Sequence, residues 1–458
     1  MPSVTDKPKP SLRTELCKGC GRCIEACNHH CIEEGHEVHP LTGLVPVQLH
    51  LERCTGCDLC VDACPEPFGL RSGSDTGPGS EPPPLARPTE IFERLALPPV
   101  GTIFLKGTYA SAVGALLAGC RHFFGYPITP STEGAELMAK LLPSLGGVFV
   151  QAVSEVAAIN MIYGCGAAGR PSMTFTSSPG FSLMLEGISY MVGAELPGVI
   201  VNVMRGGPGL GNIGPEQADI KLACHGLGHG NSRAIVLAPA SAQEMLDHTI
   251  LAFELSFRYR NPVVVLCDGY LGQMSGRVTL PSHLTKPSIP RWAVWGDHDR
   301  RRNLVSSIHL TEADLEAKNL HLERKYAEMA REASAELFRC EDAEILLVAC
   351  NTPARMAKGA VEALRAEGVK AGLFRPRTLW PFPVLQLEPL LGRARRLLVV
   401  EASTGQLEDE VRLALARRGA WVPPIDSVRR CGGILPQQDE ILEGARAAVR
   451  DAGAEAWA

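Results

Sequence analysis

The chain has 458 residues, of which 45% are hydrophobic, and a formal net charge of −5. This length allows two or three domains of ordinary size, and the slightly negative charge excludes the basic surface that nucleic-acid binding requires. No apolar run approaches the ~18 residues of a membrane span, and the polar, proline-containing residues 1–11 are unlike a secretory signal. We therefore expect a cytoplasmic protein with no membrane span and no nucleic-acid partner.

The first 64 residues contain nine of the 16 cysteines. Eight of them form two runs with the spacing Cys-x2-Cys-x2-Cys-x3-Cys, namely Cys17, Cys20, Cys23 and Cys27, then Cys54, Cys57, Cys60 and Cys64. Paired runs of this kind hold two [4Fe-4S] clusters, whereas a zinc site would use CxxC pairs. Since the fourth cysteine of each run crosses to the other cluster, the expected ligand sets are Cys17, Cys20, Cys23 and Cys64, and Cys54, Cys57, Cys60 and Cys27.

One ligand of the second set stays open at this point. Asn28 follows Cys27 where the usual motif has proline, and Cys31 lies four residues beyond Cys27. Cys31 is therefore either an alternative ligand or a spare buried thiol. Residues 1–70 are predicted to form a small α+β ferredoxin-like domain, and residues 71–99, rich in Gly, Ser and Pro, a linker.

Residues 100–285 alternate short apolar runs with helical stretches. Strands are predicted at residues 148–153, 172–176, 199–204, 234–237 and 263–267. Because these runs are apolar on both faces and are separated by helices, they predict a parallel sheet that is covered on both sides. Polar residues follow four predicted strands, at Thr129, Glu155, Ser177 with Ser178, and Arg205. Ligands bind outside the carboxyl ends of parallel strands, so these residues are expected to face one crevice.

The last part of the chain begins with a charged segment, residues 286–338, which is predicted to be a connecting arm with a long helix around residues 312–337. Residues 339–458 resume the α/β pattern, with strands predicted at 344–350, 369–374 and 396–401. After the first of these strands, Thr352 is the predicted N-cap of a helix and Pro353 its first residue.

Long motifs after residue 100 resemble a known family. They are GYPITPST, VQAVSEVAAINMIYG, SSPGFSLMLEGISY, VIVNVMRGGPGLGNIGPEQAD, RNPVVVLCDGYLGQM, GLFRPRTLWPFP and VVEASTGQLEDEVRLAL. They closely resemble the α subunit of 2-oxoacid:ferredoxin oxidoreductases, most of all the branched-chain type that acts on 2-oxoisovalerate. The resemblance implies a pyrimidine-type thiamine-diphosphate-binding domain at residues 100–285 and a transketolase C-terminal-like domain at residues 339–458, with the ferredoxin-like module fused in front.

The resemblance also implies roles in cofactor binding. Glu155 would hydrogen-bond N1′ of the thiamine aminopyrimidine and so promote loss of the C2 proton, and Pro127 would contact the cofactor. Without the family motif, Glu155 would be read as a first-turn acid that the helix dipole favours.

Further residues would contact the substrate if the resemblance holds. Thr129 and Arg205 would hold the carboxylate of the 2-oxoacid, since arginine binds a carboxylate through two parallel hydrogen bonds. Ser177 and Ser178 would line the pocket. The ordinary alternatives are a turn hydroxyl for Thr129, a surface ion pair for Arg205, and a strand-to-helix cap for the two serines.

An expected motif is missing. Thiamine enzymes hold the diphosphate through Mg²⁺ at a GDG…N motif, and Asp268-Gly269 lacks the downstream asparagine. The resemblance thus implies that a β subunit brings the diphosphate and Mg²⁺, that a γ subunit takes part, and that the isolated chain is inactive.

The expected reaction is oxidative decarboxylation of a 2-oxoacid to an acyl-CoA and CO2. Coenzyme A is the co-substrate, and the clusters pass electrons to ferredoxin or another low-potential acceptor. The alternatives are the same reaction on 2-oxoglutarate or an aryl 2-oxoacid, a non-oxidative thiamine-dependent decarboxylase, and an electron-transfer protein without catalysis.

Overall fold

The structure is a computed structural model that describes residues 7–40, 42–66, 69–73, 92–295, 300, 303–419 and 421–455. The chain divides into two compact units, residues 1–89 and residues 90–458. Most of the predicted linker, residues 74–91, lies outside the described residues. Within the described ranges, no helix is both long and apolar enough to cross a membrane.

The first unit is a small α+β structure, as predicted. Its helices and strands are β1 (Ser11–Leu12), α1 (Arg22–Ala26), β2 (Ile32–Glu33), β3 (Gln48–Leu49), α2 (Leu59–Ala63) and β4 (Leu70–Arg71). β1 pairs with β4 and β2 pairs with β3, both antiparallel. Each helix begins inside a cysteine run and carries the third cysteine of that run, Cys23 or Cys60, into the interior.

The second unit contains two larger sheets and their helices. Its elements up to residue 287 are β5 (Phe92–Ala96), β6 (Ile103–Lys106), α3 (Gly107–Leu117), β7 (His122–Gly125), α4 (Thr132–Leu141), β8 (Val148–Gln151), α5 (Glu155–Ala167), β9 (Ser172–Thr176), α6 (Ser178–Ala194), β10 (Gly198–Met204), α7 (Ile220–His225), β11 (Ile235–Leu237), α8 (Ala242–Tyr259), β12 (Pro262–Asp268), α9 (Gly269–Gln273), β13 (Ser275–Val278) and β14 (His283–Pro287). The later elements are α10 (Glu312–Met329), β15 (Ala335–Phe338), β16 (Ile345–Val348), α11 (Asn351–Ala366), β17 (Ala371–Pro376), β18 (Thr378–Trp380), α12 (Val384–Leu391), β19 (Arg396–Glu401), α13 (Gln406–Arg418), β20 (Ile425–Arg429) and α14 (Gln438–Glu455).

The first large sheet has the strand order β18-β11-β12-β10-β9-β7-β8. All neighbouring strands in it are parallel except β18, which runs antiparallel to β11. Every residue of β9, β10 and β12 is buried, because helices cover both faces of the sheet. The predicted parallel sheet is therefore confirmed, and the carboxyl ends of β7, β8, β9 and β10 lie along one edge.

The second large sheet has the order β15-β17-β16-β19-β20 and is parallel except for β15. One continuous cluster of buried apolar side chains includes Phe181 and Ile200 from the first half of the unit and Leu346 and Phe374 from the second. The two sheets thus share a core, which makes the edge of the first sheet a rigid support.

Two details of the predicted secondary structure are wrong. The helix predicted around residues 312–337 ends at Met329, and Ala335–Phe338 form β15, which pairs antiparallel with β17. Pairing with an open sheet edge here overrides helix propensity. Thr352 is not an N-cap: α11 begins at Asn351, and the Thr352 hydroxyl donates instead to Asp268 Oδ1, at 2.8 Å.

Part of the predicted linker has a regular structure. Phe92–Ala96 form β5, which pairs antiparallel with β14 at His283–Pro287. Residues 92–96 read Phe-Glu-Arg-Leu-Ala, which shows no alternation of apolar and polar residues, so the strand cannot be recognised without its pairing partner, β14.

Candidate active site and cluster sites

The four predicted polar positions follow four adjacent strands of the first sheet. Thr129 lies beyond β7, Glu155 beyond β8, Ser177 beyond β9 and Arg205 beyond β10. The structure brings two of the loops into direct contact, because Arg205 Nη1 donates to the carbonyl oxygen of Thr129 at 2.8 Å. These positions therefore lie along one edge, as the parallel topology requires.

Glu155 is the first residue of α5, and the Ser154 hydroxyl before it accepts the N–H of Ala157 at 3.2 Å. This cap orients the helix so that the Glu155 side chain turns inward, where the residue is only 5% exposed. Among the described residues, the carboxylate has no hydrogen-bond or ion-pair partner. Its oxygens are not among the fully enclosed polar atoms of the described residues, so this unpartnered carboxylate is accessible to a ligand.

Gly180 makes room for the Glu155 carboxylate. A Cβ atom at position 180 would lie 2.5 Å from Glu155 Oε1 and 2.5 Å from Thr176 Oγ1. Thr176 Oγ1 and the neighbouring Ser177 Oγ are buried and have no hydrogen-bond partner among the described atoms. The Glu155 carboxylate and the Thr176 hydroxyl thus lie close together beside Gly180, which fits a hydrogen-bonding heterocycle such as an aminopyrimidine.

Arg205 forms no ion pair with an acidic residue of the described part of this chain. Its Nη1 donates to Thr129 and its Nη2 to the carbonyl oxygen of Leu210, at 3.1 Å. Nε is buried and makes no hydrogen bond within the described part of the chain. The guanidinium thus has no acidic partner among the described residues, which suits it to an anionic ligand.

Ser177 and Ser178 behave differently. Ser177 precedes α6, and its side chain makes no capping hydrogen bond. The Ser178 hydroxyl donates to Asp219 Oδ2 at 2.6 Å and accepts the main-chain N–H of Arg205 at 3.0 Å. Asp219 also accepts from Asn202 at 2.9 Å, and burial raises the pKa of Asp219. Asp219 was missed by the sequence reasoning, although it ends one of the quoted motifs.

The Asp268 carboxylate makes its hydrogen bonds to other residues inside the protein. Its oxygens accept the N–H of Leu271 at 3.0 Å and both the N–H and the hydroxyl of Thr352, at 2.9 and 2.8 Å. The Asp268 residue is completely buried, and burial raises its pKa. The Asp-Gly pair therefore joins the two sheets, and its carboxylate does not face a ligand.

The first unit contains two cavities that are lined by the predicted cysteine sets. One cavity is lined by Cys17, Cys20, Cys23 and Cys64. A second cavity is lined by Cys27, Cys54, Cys57 and Cys60, with Cys31 also in its wall. Among the described residues, no three His, Cys, Asp or Glu side chains converge as they would on a single metal ion. The four cysteines that line each cavity form a donor set that fits a cluster bound by four thiolates.

Without bound iron, the thiols of the buried cysteines in these cavities are weak acids. Burial, followed by the neighbouring cysteines, raises the pKa of Cys23 and of Cys60 to about 11. Ligation by iron would have to remove these protons, because only thiolates bind metal.

Comparison with known proteins identifies the family. The model of the pyruvate flavodoxin/ferredoxin oxidoreductase thiamine-diphosphate-binding domain matches residues 113–364, which is more than half of the chain. The chain belongs to the 2-oxoacid:ferredoxin oxidoreductase family. Core domain II of pyruvate:ferredoxin oxidoreductase matches residues 343–441, and a 4Fe-4S dicluster domain matches residues 16–67. The family membership and the fused iron–sulfur domain predicted from the sequence are thereby confirmed.

Individual proteins that are similar to this chain belong to the same oxidoreductase family. The ketoisovalerate oxidoreductase subunit VorB of Methanothermobacter thermautotrophicus is 47% identical over 77% of this chain and 99% of its own length. The 2-oxoglutarate synthase subunit KorA of Methanothermobacter marburgensis is 36% identical over 74% of this chain and 97% of its own length. A solved 2-oxoglutarate:ferredoxin oxidoreductase from Magnetococcus marinus, with 2-oxoglutarate, coenzyme A and succinyl-CoA bound, superposes with a TM-score of 0.70 at 28% identity, covering 76% of this chain and 65% of that one.

Proposed function

We propose that this chain is the subunit that holds the pyrimidine half of a thiamine diphosphate site in an enzyme that oxidatively decarboxylates a 2-oxoacid to an acyl-CoA and CO2. The observation that carries the proposal is the unpartnered carboxylate of the buried residue Glu155, beside Gly180 at the carboxyl edge of a parallel sheet. This geometry provides a carboxyl group that can exchange a proton with a bound ligand.

When bound, thiamine diphosphate supplies the carbon nucleophile and takes up the electron pair that decarboxylation releases. The part of Glu155 is to hold a hydrogen bond to the pyrimidine ring nitrogen and to exchange a proton with it. Thr176, whose hydroxyl lies beside the Glu155 carboxylate, and Pro127, in the exposed loop after β7, would help to hold the cofactor, and Ser177 would line the substrate pocket.

The substrate carboxylate is assigned to Arg205 and Thr129. Arg205 has no acidic partner among the described residues, and it bonds to the main chain of Thr129, which is an exposed residue. Ser178 is fastened to the same loop, because its hydroxyl accepts the main-chain N–H of Arg205. Two nearby donors and one fixed positive charge are what a 2-oxoacid carboxylate requires.

The diphosphate and its Mg²⁺ come from a partner β subunit in this proposal. Asp268 has its hydrogen-bonding capacity used inside the protein, so it does not provide a magnesium ligand. Large apolar side chains stand exposed around the same edge, including Val153 at 88% and Leu210 at 79%. Such an exposed rim is typical of a surface that a partner covers. A γ subunit is proposed from the resemblance alone.

The two cysteine cavities hold the [4Fe-4S] clusters that pass electrons to an external ferredoxin. We assign Cys17, Cys20, Cys23 and Cys64 to one cluster and Cys54, Cys57, Cys60 and Cys27 to the other, following the lining of each cavity. Thiolates arranged in this way suit one-electron transfer at low potential.

A branched-chain 2-oxoacid is the proposed substrate, with coenzyme A as acyl acceptor. The support is the higher identity to ketoisovalerate oxidoreductase subunits, 47%, than to 2-oxoglutarate synthase subunits, 36%. A second carboxylate, as in 2-oxoglutarate, would need an additional cation in a pocket that the partner subunit completes.

The variant Glu155→Gln tests the proposal in the complex purified without oxygen. It removes the proton-exchanging group and keeps the shape of the side chain, so viologen reduction should fall about 100-fold or more while the clusters remain. Glu186→Gln, which alters an exposed glutamate bonded to Tyr190 on α6, is the matched control and should retain activity. Full activity in Glu155→Gln would contradict the proposal and leave residues 90–458 as a scaffold.

A further inference from the structure

We propose that Asn212 and Glu216 are positioning residues for Arg205, acting by fastening the loop of residues 205–217 to Gly432 and Gly433 beyond β20. This inference rests on the proposed function, because it assumes that Arg205 binds the substrate carboxylate. It assigns a role in the active site to a segment of the C-terminal half for which the sequence indicated none.

The loop is closed on itself by main-chain hydrogen bonds and by glycines. Gly206 N–H donates to the carbonyl oxygen of Gly214 at 3.0 Å, and Asn212 N–H donates to the carbonyl oxygen of Gly206 at 3.1 Å. A Cβ atom at Gly206 would lie 2.6 Å from Asn212 Oδ1, so only glycine allows this approach. The loop is therefore a rigid segment, so that a shift at one end is transmitted to the other end.

Two side chains tie this body to the second sheet. Asn212 Nδ2 donates to the carbonyl oxygen of Gly432 at 2.9 Å, while its Oδ1 accepts the N–H of Gly214 at 2.8 Å. Glu216 Oε2 accepts the N–H of Gly432 at 3.0 Å and the N–H of Gly207 at 3.3 Å. Each side chain thus bonds both to the loop and to Gly432, which is the arrangement of a clamp.

The contact between Gly433 and the loop also leaves no room for a side chain at position 433. Gly433 has a φ of +88°, and a Cβ atom there would lie 2.6 Å from Asn212 Oδ1 and 3.1 Å from Gly214 Cα. Any side chain at this position would force the loop away from the second sheet.

The clamp is connected to the Arg205 guanidinium through the carbonyl group of Leu210. Arg205 Nη2 donates to the carbonyl oxygen of Leu210, which lies in the middle of the clamped loop. If the loop shifts, this acceptor shifts with it, and the guanidinium loses one of the two bonds that fix its plane. Displacement of a binding group by about 1 Å can cost large factors in activity, so a distant clamp can affect substrate binding.

A double-mutant cycle in the complex purified with its partner subunits tests this proposal. Loss of two hydrogen bonds in Asn212→Ala should raise the KM for the 2-oxoacid about 5- to 20-fold. The KM for coenzyme A and the iron content should not change. Glu216→Gln weakens the same clamp with little change of shape and should raise the same KM, which keeps the test valid if Asn212→Ala folds poorly.

The background variant Arg205→Ala separates the two proposals. Asn212→Ala should add no further rise in KM when Arg205 is already absent, because it acts through Arg205. Asn319→Ala, which removes a partly exposed asparagine bonded to Asn231, is the matched control and should leave every constant unchanged.

Each result has a definite meaning. An unchanged KM for the 2-oxoacid in Arg205→Ala would overturn the assigned role of Arg205, and the clamp with it. A raised KM in Arg205→Ala, with normal values in both Asn212→Ala and Glu216→Gln, would overturn the clamp alone. An equal effect of Asn212→Ala with and without Arg205 would also overturn it.

Discussion

At the residue scale, the position of the Glu155 carboxylate depends on Gly180. Gly180→Ala would place a methyl group 2.5 Å from Glu155 Oε1 and from Thr176 Oγ1, so the carboxylate would have to move. We expect kcat to fall about 100-fold, because a shift of about 1 Å in a catalytic group has this effect. Viologen reduction by the complex measures the loss.

The control for this prediction lies on the neighbouring helix. A Cβ atom at Gly164 in α5 meets no atom within 4 Å, so Gly164→Ala should keep full activity. It should also stabilise the protein by about 0.5–1 kcal/mol, since alanine is the better helix former. Equal activities of the two variants would contradict the assigned position of Glu155.

Cys27 is the expected cluster ligand and Cys31 a spare thiol. The sulfur of Cys27 accepts the N–H of Cys31 at 3.3 Å, as the sulfurs of Cys17 and Cys54 accept main-chain N–H groups. Hydrogen bonds of this kind stabilise thiolate ligands. Cys31→Ala should therefore retain about eight irons per chain and Cys27→Ala about four. Iron analysis with electron paramagnetic resonance checks this, and the opposite result would make Cys31 the ligand.

The sequence predicted where the polar residues stand but not what they touch. Glu155 and Arg205 could be found because each directly follows an apolar strand, and parallel strands end at one edge. Asp219 could not, because its bond to Ser178 spans 41 residues and depends on how the intervening loop folds. The hydrogen bond between Asp268 and Thr352, which lie 84 residues apart, could not be predicted for the same reason.

At the element scale, the arm helix α10 is anchored to the end of α6 by buried charges. Glu195, in the left-handed conformation after α6, pairs with Lys318, with His321 at 3.1 Å and with Lys325 at 3.4 Å. Lys325 is only 2% exposed. Removing one partner of such a group leaves an uncompensated buried charge, which is strongly destabilising.

The Glu195 anchor predicts an acid-sensitive stability. Burial alone would raise the pKa of Glu195, but Lys325 and Lys318 together lower it to about 2. A carboxyl whose folded pKa is depressed contributes stability above its unfolded value of 4.5 and loses it as the pH falls toward 2. Glu195→Gln should therefore cost on the order of 3 kcal/mol at pH 7, and the difference from wild type should shrink below pH 4.5.

Denaturant unfolding of both proteins at several pH values measures this difference. Glu254→Gln is the control, because Glu254 forms an exposed ion pair with Arg258 that contributes only about 0.5 kcal/mol. A constant difference between Glu195→Gln and wild type from pH 7 to pH 3 would show that the charge of Glu195 is not what anchors α10.

The connecting arm, residues 286–338, also shows where hydrophobic periodicity no longer predicts the secondary structure. The helical pattern after residue 312 is correct as far as Met329, but Ala335–Phe338 pair with β17 at the edge of the second sheet. Four residues carry too little periodicity to reveal a strand, and the pairing edge is supplied by residues that follow later in the chain.

At the scale of the whole molecule, the two large sheets of the second unit are joined by bonds that no local pattern predicts. Gln217 N–H donates to the carbonyl oxygen of Ala402 at 2.7 Å, and Gln217 Oε1 accepts the N–H of Ala402 at 2.8 Å. Asn351 Nδ2 donates to the carbonyl oxygen of Leu266 at 2.9 Å. The two α/β layers could be predicted from alternating strands and helices, but their junction depends on single buried amides.

The central claim concerns a site completed by a partner, so it is tested most directly on the complex purified without oxygen. Viologen reduction would be measured for the complex and for the isolated chain, with and without coenzyme A, across a panel of 2-oxoacids. We predict reduction that depends on coenzyme A, is fastest with a branched-chain 2-oxoacid, and is absent from the isolated chain. Turnover by the isolated chain, or no reduction by a complex that holds its clusters, thiamine diphosphate and β subunit, would contradict this account.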